Sequence, residues 1–169
     1  LFNILGPLVN PASPSIMLLG VYTPELINVM AESLLLTGVK RGWVVHGSGL
    51  DEIALHGETQ ISEIENGQCT TRVISPADFG LSSYTLEDIK GGTPQENAEY
   101  IRAILSGNGQ PAHNAAVIIN CAALLYLHGK SVKRSPKKAE YWFLQAAPTH
   151  GKASCLLGEL YAQGKVLDN

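Results

Sequence analysis

Apolar residues in the first half of the chain come in short runs broken by turn residues, whereas in the second half they recur at helical spacing. Met17 to Tyr22 (MLLGVY) and Trp43 to His46 are short apolar runs, as expected of strands buried on both faces. Between them Thr23 is placed as an N-cap, Pro24 at the first helical position and Glu25 in the first turn. Leu26, Ile27, Met30, Leu34 and Leu35 then keep helical spacing up to Gly38. Strand, helix, strand predicts a parallel pair with a right-handed crossover. Ile53 to His56, Thr59 to Glu65 and Gln68 to Ile74 predict added antiparallel strands. The last two are joined by Asn66-Gly67, a dipeptide that tolerates positive φ at both positions of a tight hairpin.

The stretch from Ser75 to Gly92 reads as irregular. Beyond it Thr93-Pro94-Gln95-Glu96 repeats the cap-then-proline start of a helix that runs to Leu105 and stops at Gly107, Asn108 and Gly109. Pro111 opens a long apolar helix to about Leu127, and its lack of a polar face predicts burial all round, with Cys121 packed inside. Two more helices are predicted over Pro136 to Ala147 and Lys152 to Gln163. The first fifteen residues carry three prolines and read as an ordered loop. The expected architecture is α/β, a central mixed sheet with a parallel core flanked by helices, in a single domain over residues 1–169.

Composition narrows the function classes. Charged residues make up 16% of the 169 residues, below the usual quarter, and the net charge is −3. The short cluster Lys133, Arg134, Lys137, Lys138 is no basic face, so a nucleic-acid partner is not expected. The apolar run from Ala115 to Leu127 is shorter than the roughly 20 residues that span a bilayer, so no membrane partner is expected. Cys69, Cys121 and Cys155 form neither a metal-binding pair nor a closed disulfide framework, which fits a reducing, cytoplasmic compartment. The start on Leu1 and Phe2 suggests the middle of a longer protein.

Two segments could carry chemistry. In VVHGSGLDE, Val44 to Glu52, a strand runs into a glycine-containing loop that delivers two adjacent carboxylates. Ligands of parallel sheets collect outside the carboxyl ends of the strands, and in a loop both carboxylates can converge on a hard cation. Spacing alone leaves Asp51 and Glu52 open between that role and solvated turn residues. FNILGPLVNPA, Phe2 to Ala12, is either a proline-fixed crossing or an apolar wall for a flat aromatic ligand. His46 is a candidate to support the carboxylate loop. His113, His128 and His150 read as dipole contacts near helix ends. Trp142 and Phe143 read as core or dimer surface.

FNILGPLVNPA, VVHGSGLDEIALHG, PADFGL (Pro76 to Leu81), GGTPQENA (Gly91 to Ala98) and NAAVIINCAALLYLHGK occur in one order and spacing. Together they resemble the C-terminal half of anthranilate phosphoribosyltransferases, closely from Leu1 to Lys130 and loosely over residues 131–169. The resemblance implies the nucleoside phosphorylase/phosphoribosyltransferase-like fold. It also implies transfer of phosphoribosyl from phosphoribosyl diphosphate to the amine of anthranilate, releasing diphosphate, in tryptophan biosynthesis. It assigns Mg2+ to Asp51 and Glu52 and the anthranilate site to Gly6 and Pro7, with no catalytic residue in this stretch, and it implies a homodimer. The family's diphosphate loop, Lys-His-Gly-Asn segment, anthranilate-contacting arginine and N-terminal helical domain do not occur in these residues. The expectation is therefore that this polypeptide is inactive alone and that its cut sheet edge favours aggregation. The competing readings are a pyrimidine nucleoside phosphorylase-like enzyme and a non-catalytic, nucleic-acid-binding relative. For the tail, a single helical-repeat hairpin is a further reading.

Overall fold

Four strands form one mixed sheet in the order β1 (Ile16–Gly20), β2 (Arg41–Gly47), β3 (Thr59–Glu65), β4 (Gln68–Ile74). β1 and β2 are parallel, joined by the helix α2 (Leu26–Leu36), and the pairs β2–β3 and β3–β4 are antiparallel. The protein is described by a computed structural model over residues 2–128. The predicted helices after residue 130, with Cys155, His150, Trp142 and Phe143, lie outside the described residues. The described chain divides into two compact units, residues 2–90 with 114–128 and residues 91–113.

Strand alternation sorts the core of the first unit into two layers. Val44 and Ile64 point to one face and meet Ile27, Met30, Ala31 and Leu34 of α2. Trp43, Val45 and Ile61 point to the other and meet Ala115, Ile119, Ala123 and Leu127 of the long helix over Pro111–His128. Those four helical residues fall three or four apart and so form a single stripe. The uniformly apolar helix is therefore not buried all round: Val117, Leu124, Leu125 and Cys121 are exposed. An apolar side chain does not by itself mark the buried face, and the packing on the sheet selects one.

The hairpin and capping-box signals match the structure. Asn66 and Gly67 have φ of 54° and 77°, and Glu65 pairs with Gln68 across the two-residue hairpin. In the second unit Thr93 and Glu96 form a reciprocal capping box on the helix Pro94–Leu105. His113, in the first turn of the long helix, lies against the Tyr100 ring with centroids 4.9 Å apart; it is at the N-terminal end, where the dipole offers no attraction to a cation.

Three further expectations are corrected. The proline-rich start contains a short helix, α1 (Phe2–Leu8), with Pro7 inside it. Proline forfeits one backbone bond there, while Ile4 and Leu8, one turn apart, pack on the α2 layer. α2 begins later than its signal: the Thr23 hydroxyl donates to the Glu25 carboxylate instead of capping an amide, and the Leu26 and Ile27 amides are bound by the Thr23 and Pro24 carbonyls in a turn before the helix. Ile53 to His56 is not a strand: its backbone groups are bound by a side chain of the long helix, by Thr59 and by Tyr84.

Candidate functional site

Because β1 and β2 are parallel, Gly20 and Gly47 end at the same edge of the sheet. The segment that follows β2 folds back over that edge and is tied to itself throughout. Gly47 and Leu50 exchange backbone bonds of 2.9 and 3.0 Å. The Ser48 hydroxyl donates to the Glu58 carbonyl at 2.7 Å, and His56 Nε2 donates to the Ser48 carbonyl at 3.0 Å. The Ala54 amide donates to Thr59 Oγ1 at 2.9 Å. The Ile53 amide donates to Asn120 Oδ1 at 3.0 Å, across 67 residues of sequence.

Two glycines make the fold-back sterically possible. A Cβ on Gly20 would lie 1.5 Å from the Asp51 carbonyl oxygen, and one on Gly47 would lie 2.3 Å from the Glu52 carbonyl oxygen. No side chain fits at either place, so the backbones of the two acidic residues rest directly on the ends of β1 and β2. The sequence marks Gly47 through its place in a glycine-containing loop. Gly20 looks like an ordinary residue of an apolar run, and only its contact with a segment thirty-one positions later reveals its role.

His46 is bound on both ring nitrogens. Nδ1 lies 2.8 Å from the Val21 carbonyl, so it carries the hydrogen, and Nε2 accepts the Gly49 amide at 3.3 Å. The ring links the turn after β1 to the loop after β2, which is the supporting position read from the sequence. Asp51 and Glu52 themselves are exposed, and no hydrogen bond or ion pair holds either carboxylate among the described residues. Partial desolvation raises the Glu52 carboxyl above its usual range, and the adjacent Asp51 charge pushes the same way. Among the described residues no three His, Cys, Asp or Glu side chains converge as a closed metal cage.

Beside this loop lies a pocket of about 350 Å³. Ile4 and Pro7 of α1 and Leu26 and Met30 of α2 form apolar walls, Tyr22 stands at the β1–α2 turn, and Asp51 contributes from the loop. The geometry thus brings Pro7 and Asp51 together, from the two segments singled out by sequence. Gly6 is on α1 and exposed, with open space where a Cβ would be, and neither it nor Glu52 lines the pocket. Tyr22 and Asn120 were not singled out for chemistry. An amide breaking the apolar run from Ala115 to Leu127 is the available sign for Asn120.

The model of the glycosyl transferase family, a/b domain, matches residues 1–153. The chain belongs to that family. Its motif order had pointed to anthranilate phosphoribosyltransferases, and the relatives agree. The anthranilate phosphoribosyltransferase of Colwellia psychrerythraea is 75% identical over 131 residues, covering 78% of this chain and 36% of that protein. The crystal structure of the Thermus thermophilus enzyme superposes with a TM-score of 0.72 at 37% identity, over 95% of this chain and 46% of that one. The Saccharomyces cerevisiae enzyme, solved with PRPP and Mg, gives 0.64 at 31% identity over 75% of this chain and 37% of that one. The chain thus spans less than half the length of these relatives. The expected fold holds: the mixed sheet flanked by helices matches the pattern of the residues, and the structural relatives are anthranilate phosphoribosyltransferases. No helix among the described residues is long and apolar enough to cross a membrane.

Proposed function

We propose that this chain is the carboxylate-bearing part of an anthranilate phosphoribosyltransferase, with Asp51 and Glu52 holding Mg2+ against phosphoribosyl diphosphate. The observation that carries the proposal is the pair of carboxylates, without a partner among the described residues, on a backbone seated at the carboxyl end of a parallel β pair and next to a pocket with apolar walls. The donor set fits the ion. Mg2+ binds oxygen, keeps several waters and is ordinarily held by one or two carboxylates plus substrate phosphates, so a third protein ligand is not required. The yeast relative was solved with PRPP and Mg, and separately with 4-fluoroanthranilate.

A cation held by Asp51 and Glu52 would supply charge neutralisation and a template for the leaving diphosphate. The chain's own contribution is positional. Gly20 and Gly47 seat the backbone of Asp51 and Glu52, and His46 holds the loop to the β1 turn. Ile4, Pro7 and Leu26 offer an apolar wall of the kind that suits a flat aromatic amine, with Gly6 in the same helix. The amine of anthranilate is already nucleophilic, so orientation and electrostatics suffice without a covalent intermediate. By the same reading the 169 residues belong to one α/β domain of a longer, homodimeric, cytoplasmic enzyme of tryptophan biosynthesis, and this polypeptide alone is inactive.

A hybrid tests this reading. With this chain in place of the matching 131 residues of the Colwellia relative, the product should form phosphoribosyl-anthranilate, seen by its fluorescence. Asp51→Asn in that hybrid should lower turnover by about 100-fold or more, since even supporting groups around a metal are worth about 10–100-fold. A hybrid that folds and turns over equally well with Asn at 51 contradicts the assignment.

A further inference from the structure

Asn120 is the polar exception in the buried side of the long helix, and both halves of its amide are used. Nδ2 donates to the Ala116 carbonyl one turn back at 3.0 Å, which fixes the side-chain rotamer. Oδ1 then accepts the Ile53 amide at 3.0 Å. The Ile53 amide and the Glu52 carbonyl belong to one planar peptide unit. The carbonyl end of that unit packs on Gly47, where a Cβ would be 2.3 Å away, and the amide end is bound by Asn120. The Ile53 side chain joins the layer that contains Ile119, Ala115 and Ala123 of the same helix. The peptide that leaves Glu52 is therefore clamped from both sides, and with it the direction in which the Glu52 side chain departs.

We propose that Asn120 is a positioning residue for the cation site, acting through the Glu52–Ile53 peptide to hold the two carboxylates in one geometry. The proposal rests on the reading of Asp51 and Glu52 as cation ligands. A helix residue far along the chain would thus set the affinity of a loop it follows by 67 positions. Leucine at 120 keeps the volume and the neutrality but offers no acceptor, so the Ile53 amide is left without its partner. Aspartate keeps an acceptor for Ile53, loses the donor to Ala116 and adds a negative charge.

The test is a titration of the full chain with Mn2+, followed by electron paramagnetic resonance, together with amide hydrogen exchange at Ile53. Asn120→Leu is expected to weaken Mn2+ binding by about tenfold, as removal of groups that support metal ligands commonly does, and to speed exchange at Ile53. Asn120→Asp should restore Ile53 protection and bind Mn2+ at least as tightly as the parent chain. Leu34→Ala, a core truncation in the layer on the other face of the sheet, should lower the melting temperature and leave Mn2+ affinity unchanged. Parent-like affinity in a folded Asn120→Leu, or equal losses in Asn120→Leu and Leu34→Ala, overturns the positioning role. If the Leu variant does not fold, failure of Asn120→Asp to keep both Ile53 protection and affinity overturns it. Should the parent chain bind no Mn2+, or Asp51→Asn bind it as the parent does, the cation-site reading falls and the positioning role with it.

Discussion

Near the start of β2 the carboxylates of Glu63 and Glu65 are each met by an arginine, whereas beyond its end Asp51 and Glu52 stand side by side with none among the described residues. Glu63 accepts the Trp43 indole N–H at 3.0 Å and the Arg72 Nε at 3.2 Å, and the Arg72 guanidinium lies 4.9 Å over the Trp43 ring. Arg41 lies 3.6 Å from Glu65 and also donates to the Leu127 carbonyl at the end of the long helix. These contacts join β2, β3, β4 and the helix, so charge there serves packing. At the other end the backbone is held as firmly, by glycine contacts and by bonds to Asn120 and Thr59, but the charges are left open. On the proposed reading, a bound cation supplies the positive charge that this end lacks.

The comparison implies that the two ends can be damaged separately. Trp43→Ala should cause the largest loss of stability, about 3–5 kcal/mol, because a buried indole is removed and Glu63 loses a donor. Chemical denaturation measures it, and Mn2+ affinity in the fraction that remains folded should be that of the parent. A variant that stays folded but loses the cation would join the two ends and break the comparison.

A smaller effect of opposite sign is expected at the open end. The Glu52 carboxyl is raised above its unfolded value by desolvation and by Asp51. A carboxyl raised in the folded state costs stability progressively as pH climbs from its unfolded to its folded value, and the full cost is present above the latter. In metal-free buffer Glu52→Gln should therefore melt higher than the parent near neutral pH. That advantage should shrink as pH falls through the raised folded value and vanish below the unfolded one. Equal melting temperatures at all pH would show that the charge is already compensated.

How much of this was legible in the sequence follows from the range of each interaction. The Asn66-Gly67 hairpin and the Thr93–Glu96 capping box are settled by neighbouring residues and were read directly. Ile53 to His56 looked like a strand because its alternatives are nonlocal: its amide finds Asn120 and its carbonyl at Leu55 finds Tyr84. α1 was hidden because proline argues against a helix locally, while burial of Ile4 and Leu8 argues for it at a distance. Exposed Cys121 was unreadable in a helix whose faces are equally apolar. The Asp51-Glu52 pair was visible as a motif, whereas its glycine seats and the pocket shared with Pro7 required the fold.

The most direct test of the contrast is a Mn2+ titration of three proteins: the parent chain, Asp51→Asn and Glu63→Gln. Mn2+ takes the same oxygen ligands as Mg2+ and is observable by electron paramagnetic resonance. Removal of a carboxylate from the open end should abolish measurable binding while the melting temperature holds or rises. Removal of one from the arginine-paired end should lower the melting temperature and leave binding intact. Asp51→Asn binding Mn2+ as tightly as the parent would contradict the account.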